Sequence, residues 1–223
     1  AVSVTEYRDL GYLPDAVLNY LARLGWSHGD QEIFTRQEMI EAFDWAHCGS
    51  TAAKFDPKKF LFVQASHLRK KAPAELAPLV RERMEAELVE STRTPAFPNA
   101  ISTVLTRAQT INEIVEIIDF YFRGEPKEDA AAVTKMLVPA AVPSLRALRD
   151  LCAGVSPFEK AGLEAATNAW LEKSGLKLKD IAQPARVALT GKSQSPGLFE
   201  VMEVLGKETT LARLDRAAAR AGG

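Results

Sequence analysis

The sequence is poor in cysteine and has no long hydrophobic run. Its two cysteines, Cys48 and Cys152, lie far apart in a chain of 223 residues, which favours free, buried thiols in a reducing cytoplasm over a disulfide framework. No uninterrupted apolar segment approaches the roughly 20 residues that a membrane-spanning helix needs. The first residues also lack the basic and apolar regions of a signal peptide. We therefore expect a cytoplasmic protein with no membrane partner.

The sequence patterns of common catalytic and metal sites are absent as well. There is no glycine-rich phosphate loop of the G-x-x-x-x-G-K-[ST] type, and no G-x-G-x-x-G after a strand. The three histidines, His28, His47 and His67, are not spaced as metal ligands on one element. The sequence therefore predicts no catalytic residue, no metal site and no bound cofactor in this chain.

An excess of one charge is missing too. The 28 Lys and Arg residues nearly balance the 29 Asp and Glu residues, which leaves a net charge of −1. Any binding to nucleic acid must then come from local patches. The densest patch lies between residues 54 and 71, where six Lys or Arg residues accompany a single Asp. A solvated basic helix end explains this stretch as well as a phosphate contact does.

Helical patterns and helix caps run through nearly the whole chain. Capping boxes begin at Ser3 and Thr35, and Asp56 is followed by a proline, which is typical of a first helical turn. No alternating run with hairpin glycines appears. The pattern predicts a mostly all-α fold, with at most a short strand or two in the first 50 residues.

Three details of these helices are predicted more finely. The helix that Pro14 opens should bury one face, made of Val17, Leu18, Leu21 and Leu24. Two prolines predict a loop over residues 92–99. The stretch Ser156-Pro-Phe-Glu159 predicts a capped helix start.

Residues 181–206 predict two helices joined by a polar corner. The first helix should end at Thr190-Gly191, with Lys192-Ser193-Gln194 as the loop. Ser195 should cap the second helix, with Pro196 at its first position. The predicted buried face of that second helix consists of Leu198, Val201, Met202 and Leu205. Such a corner presents an arginine, a lysine and several hydroxyls on one exposed edge, which suits a phosphate or an unstacked base.

Two segments of this corner, Gln183-Pro-Ala-Arg-Val-Ala-Leu-Thr-Gly191 and Ser195-Pro-Gly-Leu-Phe-Glu200, resemble the anticodon-binding end of bacterial glutamyl-tRNA synthetases. Residues 9–30 similarly resemble the region that follows the family's second nucleotide-binding signature. Residues 54–60 resemble the start of the helix that closes its stem-contact domain. Phe62 and Gln64 depart from this pattern, since Trp and Asn are expected there. Without the resemblance, the sequence indicates only a soluble helical protein with a modest basic edge.

The resemblance implies a helical stem-contact domain at residues 1–70, followed by the two helical halves of an anticodon-binding domain at 71–122 and 123–223. It implies tRNA-Glu as the partner, and no DNA, bound by its anticodon loop and inner stem. A catalytic domain that binds ATP and glutamate would precede this chain in the same polypeptide, so ATP and Mg²⁺ belong to the full-length ligase. The present chain would bind RNA weakly and catalyse nothing.

The resemblance also assigns anticodon contacts to four residues. Arg186 matches a family arginine that reaches the anticodon, while Ser195 and Leu198 match positions around another anticodon base. Arg107 falls where bacterial enzymes of this family can read the third base and exclude glutamine tRNA, although Thr106 replaces an expected proline. Structural roles remain the alternatives: a surface ion pair for the arginines, a helix cap for Ser195 and core packing for Leu198.

Four lysines are candidates for contact with RNA phosphates. Lys192 and Lys207 flank the corner, and Lys58 and Lys59 belong to the basic stretch. The alternative from another class is a helical protein-interaction module with no RNA role. If a catalytic domain does precede this chain, the surface of residues 1–45 that faces it should be unusually apolar.

Overall fold

The computed structural model describes residues 3–49, 54–85 and 96–222, and the regular elements within these ranges are helices. The α-helices are α1 Val4–Asp9, α2 Pro14–Gly25, α3 Arg36–Ala42, α4 Pro57–Lys70, α5 Pro73–Arg83, α6 Phe97–Ser102, α7 Ile111–Phe122, α8 Ala130–Met136, α9 Val142–Gly154, α10 Lys160–Ser174, α11 Leu178–Thr190, α12 Leu198–Leu205 and α13 Lys207–Gly222. Short 3-10 turns cover Trp45–His47 and Pro139–Ala141. The all-α prediction is confirmed. In place of an early strand, the described residues contain one isolated antiparallel bridge between Trp26 and Cys48.

The predicted helix starts rest on local side-chain chemistry. Ser3 and Thr35 both cap their helices with complete capping boxes. The Asp56 carboxylate accepts from the backbone N–H groups of Lys58 and Lys59 at the start of α4. These contacts satisfy N–H groups that have no partner within the helix.

The chain divides into two compact units. The first contains the described residues up to Met84 together with Val104–Glu116, and the second contains the remainder, including the chain from Ile117 onward. Helix α7 therefore contributes residues to both units. The division expected near residues 70 and 123 stays a prediction.

The core of the first unit forms where α2 packs against α4. Tyr20 stacks on Phe60 with ring centroids 4.4 Å apart. The amide oxygen of the buried Asn19 accepts a hydrogen bond from the Phe34 backbone N–H and lies 2.9 Å from the His67 ring. Burial lowers the pKa of His67. A polar network thus fixes the loop before α3 against the two main helices.

The core of the second unit is built around the last helix, α13, which packs on α9, α11 and α12. Its buried residues are Thr210, Arg213, Leu214, Ala217, Ala218 and Ala221. The small alanines let the neighbouring helix backbones approach closely. A charged side chain, Arg213, lies in the middle of this otherwise uncharged face.

The predicted buried face of α2 is wrong in part. Val17 is buried, but Leu18 and Leu21 are 42% and 45% exposed. The side of α2 that packs inward carries Ala16, Val17 and Tyr20, because α4 lies against that side. Leu18 and Leu21 instead line an open groove of about 920 Å³.

The first 45 residues expose several large hydrophobic side chains, some of them outside this groove. They are Val4, Leu10, Leu18, Leu21, Ile40, Phe43 and Trp45. Trp45 is 80% exposed and contacts Phe43 edge to face. The surface of the first 45 residues is therefore not uniformly charged, and its expected contact with a preceding catalytic domain stays a prediction.

Two other local predictions are corrected. Helix α6 already begins at Phe97, so residues 97–99 are not loop, because Pro98 occupies the first helical turn, where its missing N–H costs nothing. Residues 92–95 of the predicted loop lie outside the described residues. Ser156 does not cap a helix, since α10 begins only at Lys160, after a turn in which Glu159 N–H donates to the Pro157 carbonyl.

The two cysteines are free, as predicted, but only one is buried. Cys152 lies in the core with its sulfur 4.0 Å from that of Met202, and burial raises the pKa of its thiol to about 11. Cys48 is exposed, because it follows the 3-10 turn at the surface.

No single described helix is long and apolar enough to cross a bilayer; only a pair bent by 66°, Ala130–Met136 with Pro139–Gly154, reaches that length and composition.

Candidate nucleic-acid interface

The predicted corner between α11 and α12 is present in the second unit. Helix α11 ends at Thr190 because Gly191 adopts a left-handed conformation with φ of 73°. The Gly191 carbonyl then accepts from the Asp129 backbone N–H at 2.8 Å. This bond ties the corner to the N-terminal end of α8.

Arg186 and Ser195 meet across the corner. The Arg186 Nη1 donates to the Ser195 carbonyl at 3.1 Å and to the Ser195 Oγ at 3.2 Å. The Thr190 hydroxyl donates to the Arg186 carbonyl at 2.8 Å, within the same helix. The guanidinium is half-buried, so its orientation is set by the protein.

The predicted cap at Ser195 is wrong. Helix α12 begins at Leu198 behind Gly197, without a side-chain cap, and Pro196 lies outside the helix. The Ser195 hydroxyl is instead engaged with Arg186 and donates to the Pro196 carbonyl at 2.9 Å. The hydroxyls of Ser195 and Thr190 are buried, so the exposed edge of the corner carries Lys192-Ser193-Gln194 only.

The core side of α12 agrees with the prediction. Leu198 is 7% exposed and belongs to a buried face that ends at Gly206. The predicted members Val201, Met202 and Leu205 are buried as well, and so is Phe199, which was not predicted. Leu198 is therefore a core residue at the start of α12, and its predicted anticodon contact stays a prediction.

The four candidate lysines have different surroundings. Lys192 Nζ lies 3.9 Å from Asp119, and Lys207 Nζ donates to the Val155 carbonyl at 3.1 Å. Lys59 Nζ lies 2.6 Å from Glu32. Lys58 is exposed at the start of α4. Phosphate contact by the first three would compete with interactions inside the protein.

Arg107 lies in the other unit. It is exposed in a turn between α6 and α7, where its backbone N–H donates to the Val104 carbonyl at 2.8 Å. The structure therefore unites Arg186, Ser195, Leu198 and Lys192 in one unit, with Arg107 in the first unit.

Arg213 is a buried functional candidate that the sequence patterns above did not predict. Its side chain is 1% exposed, and its guanidinium donates to backbone carbonyls at the ends of α7 and α11. The helical spacing could have indicated that Arg213 is buried, because it falls three residues after Thr210 and four before Ala217, on the buried face of α13. An arginine in that register calls for a specific partner set.

Among the described residues, no group of three or more His, Cys, Asp or Glu side chains is arranged to hold a metal ion. The chemistry of the corner is therefore that of hydrogen-bond donors and cations on a helical support. Such groups recognise phosphates and base edges.

A family model described as the anticodon binding domain matches residues 64–218. The chain belongs to the anticodon-binding domain family. Residues 1–62 match the model of the class I tRNA synthetase catalytic domain for the E and Q enzymes. The Arg186–Ser195 corner thus lies within the anticodon-binding region, and the junction of the two matches falls inside α4.

Curated relatives extend the likeness over the whole chain. A glutamate–tRNA ligase from Desulfosudis oleivorans is 45% identical over 96% of this chain and 46% of its own length. The ligase from Syntrophobacter fumaroxidans is 43% identical over 97% of this chain and 46% of its own. The chain spans about half the length of the curated relatives it matches.

Solved structures agree in fold. A glutamate tRNA ligase from Elizabethkingia meningosepticum, in complex with its amino acid, aligns with a TM-score of 0.80 at 25% identity, over 96% of this chain and 42% of that one. The glutamate–tRNA synthetase of Elizabethkingia anophelis aligns with a TM-score of 0.75. Nothing in these matches supports the alternative of a helical protein-interaction module.

Proposed function

We propose that this chain binds the anticodon arm of tRNA-Glu as the recognition portion of a glutamate–tRNA ligase. Two observations support this: the anticodon-binding match over residues 64–218 and relatives named glutamate–tRNA ligase along 96% or more of the chain. The curated relatives have about twice its length, so catalysis belongs to a longer polypeptide, with the catalytic domain acting in cis.

The observation that carries the proposal is the Arg186–Ser195 contact. A planar guanidinium can hydrogen-bond a base edge and stack on a base, and RNA loops offer splayed bases for both. Two acceptors of Ser195 hold Nη1, so less side-chain freedom is lost when RNA binds. Ser195 and Leu198 are proposed to lie around another anticodon base.

Arg107 is proposed as the reader of the third anticodon base. It is exposed in a turn, as a base contact requires, and an arginine can pair two of its five N–H donors with the acceptors of a base edge. Discrimination between tRNA-Glu and tRNA-Gln is then the expected consequence. Lys58 and Lys192 are proposed to contact phosphates of the inner stem and the anticodon loop.

Recognition at the anticodon assists catalysis only by positioning the distant acceptor end of the tRNA. ATP and Mg²⁺ are proposed for the full-length ligase. The described residues offer no group of three or more His, Cys, Asp or Glu side chains that could hold Mg²⁺, so this ion is proposed for the catalytic domain. The cytoplasm is the proposed compartment, because both cysteines are free thiols.

The proposal is tested by measuring the affinity of an anticodon stem-loop of tRNA-Glu at low and moderate salt. We expect affinity to fall as salt rises and to fall about tenfold or more in Arg186→Ala. Arg107→Ala should abolish the preference for the third base of the Glu anticodon over that of a Gln anticodon.

Arg220→Ala is the matched control, because Arg220 is half-exposed in the same unit and pairs with Glu128. It should leave affinity unchanged. Equal binding of every hairpin, with Arg186 and Arg107 both dispensable, would contradict anticodon reading.

A further inference from the structure

Arg213 makes an unusual set of contacts for a buried arginine. Its Nη1 donates to the Leu189 carbonyl, and its Nη2 donates to the carbonyls of Phe120 at 2.8 Å and Arg123 at 2.6 Å. Leu189 lies in the last turn of α11, and Phe120 lies in the last turn of α7. One side chain therefore joins the C-terminal ends of two helices.

The positive charge of Arg213 is stabilised by the dipoles of these carbonyls, since no carboxylate is among its hydrogen-bond partners in the described residues. A helix C-terminus carries partial negative charge on carbonyls that have no partner within the helix. Burial lowers the pKa of Arg213 to about 10, which leaves it charged at neutral pH. Two helix ends thus supply the electrostatic partner that a buried cation requires.

Both helix ends lie next to groups that bind the candidate RNA-contact residues Arg186 and Lys192. On α11, the Thr190 hydroxyl next to Leu189 binds the Arg186 carbonyl and accepts from the Lys192 backbone N–H. On α7, Asp119 next to Phe120 has its carboxylate 3.9 Å from Lys192 Nζ. A shift of either end would move the groups that present Arg186 and Lys192.

We propose that Arg213 is a positioning residue for RNA binding: by fastening the end of α11 to the end of α7, it sets the arrangement of Arg186 and Lys192. This inference rests on the proposed function. Arg213 itself is buried and touches no RNA. Its effect on affinity passes through the corner.

A lysine cannot replace Arg213 in this role. The guanidinium reaches three carbonyls on two elements with two separate nitrogens. An ammonium group has one nitrogen and lacks this fork geometry. Arg213→Lys therefore keeps the charge and removes the link between the two helix ends.

The control is Leu214→Ala. Leu214 is the next residue on α13 and is fully buried, so its truncation weakens the core by a general packing loss. It donates no side-chain hydrogen bond to α7 or α11. The two variants separate a positioning role from a loss of stability, provided both are compared at a temperature where they remain folded.

The first measurement is amide hydrogen exchange by NMR, without RNA. The Gly191 N–H bonds to the Val187 carbonyl, and the Asp129 N–H bonds to the Gly191 carbonyl. In Arg213→Lys we expect these two amides to lose protection by about tenfold relative to those of α10. In Leu214→Ala any loss should be spread across the whole unit.

The second measurement is affinity for the anticodon stem-loop of tRNA-Glu. Arg213→Lys should weaken binding about tenfold, and Leu214→Ala should not. In a double-mutant cycle, the loss of affinity in Arg186→Ala with Arg213→Lys should be smaller than the product of the two single losses, because Arg213 acts partly through Arg186 and partly through Lys192.

The outcomes are distinguishable. If the wild-type chain binds the stem-loop and Arg213→Lys matches it, or if the two losses multiply in the double variant, Arg213 is not a positioning residue. If the wild-type chain fails to bind any anticodon stem-loop, the proposed function itself is wrong, whatever the exchange data give.

Discussion

Gly191 ends α11 and begins the corner between α11 and α12. Its φ of 73° lies in the left-handed region that side chains with a Cβ avoid. A Cβ at this position would lie 2.4 Å from the Lys127 carbonyl oxygen. Both its conformation and the close approach of residues 127–129 therefore require glycine.

Replacing Gly191 by alanine should destabilise the protein by about 3 kcal/mol, as left-handed strain and overpacking add. Gly175 is the matched control, because its φ is 70° and no atom beyond its local backbone lies within 4 Å of the place that a methyl group would occupy. Gly175→Ala should lose only about 1 kcal/mol. Urea unfolding of both variants provides the comparison. Equal losses would mean that the Lys127 carbonyl moves aside freely.

At the same scale, Ser195 illustrates how a residue type can suit two roles. Serine before proline is a common helix start, but the Ser195 hydroxyl bonds Arg186 and the Pro196 carbonyl. The arginine is nine residues away in sequence. The Ser195 hydroxyl therefore makes a tertiary contact with Arg186 in place of the helix cap that the local pattern predicts.

At the scale of elements, the sequence predicts that α2 is a helix but does not predict which of its sides faces the core. Pro14 and the apolar spacing predict the helix, and it is present at Pro14–Gly25. Its apolar residues cover more than one face, so their spacing alone does not select the side that meets α4. The packing of Tyr20 on Phe60 selects it.

Truncations on the two sides of α2 should differ in their effect. Val17→Ala should lower the free energy of unfolding by about 2 kcal/mol, because Val17 is buried. Leu18→Ala should change it by less than about 0.5 kcal/mol, since exposed side chains contribute little. Urea unfolding measures both. A large loss in Leu18→Ala would mean that the groove is closed in solution.

At the scale of the whole molecule, the net charge of −1 provides no general attraction to RNA. Binding must rest on a few local cations, and several of these already have partners within the protein. The dependence of affinity on salt should therefore be shallow. The contribution of each lysine to this salt dependence should be smaller where the lysine already has a partner within the protein.

Lys58 and Lys59 offer a matched pair for this prediction. Lys58→Ala should reduce the slope of log affinity against log salt for whole tRNA-Glu by roughly 0.7 to 0.9. Lys59→Ala should reduce it less, because Lys59 Nζ lies 2.6 Å from Glu32. Titrations at several salt concentrations measure both slopes. An unchanged slope for Lys58→Ala would remove this lysine from the phosphate contacts.

The sequence by itself determined the all-α class and most helix starts, because a cap such as Asp56 acts on N–H groups two or three residues away. It also located the corner, since Gly191 ends α11 by a local conformational preference. The pairing of Arg186 with Ser195 and the three carbonyl contacts of Arg213 were decided only in the tertiary structure. The partners of Arg213 lie 24, 90 and 93 residues away, and contacts between such distant residues leave no local pattern, because they arise when helices pack.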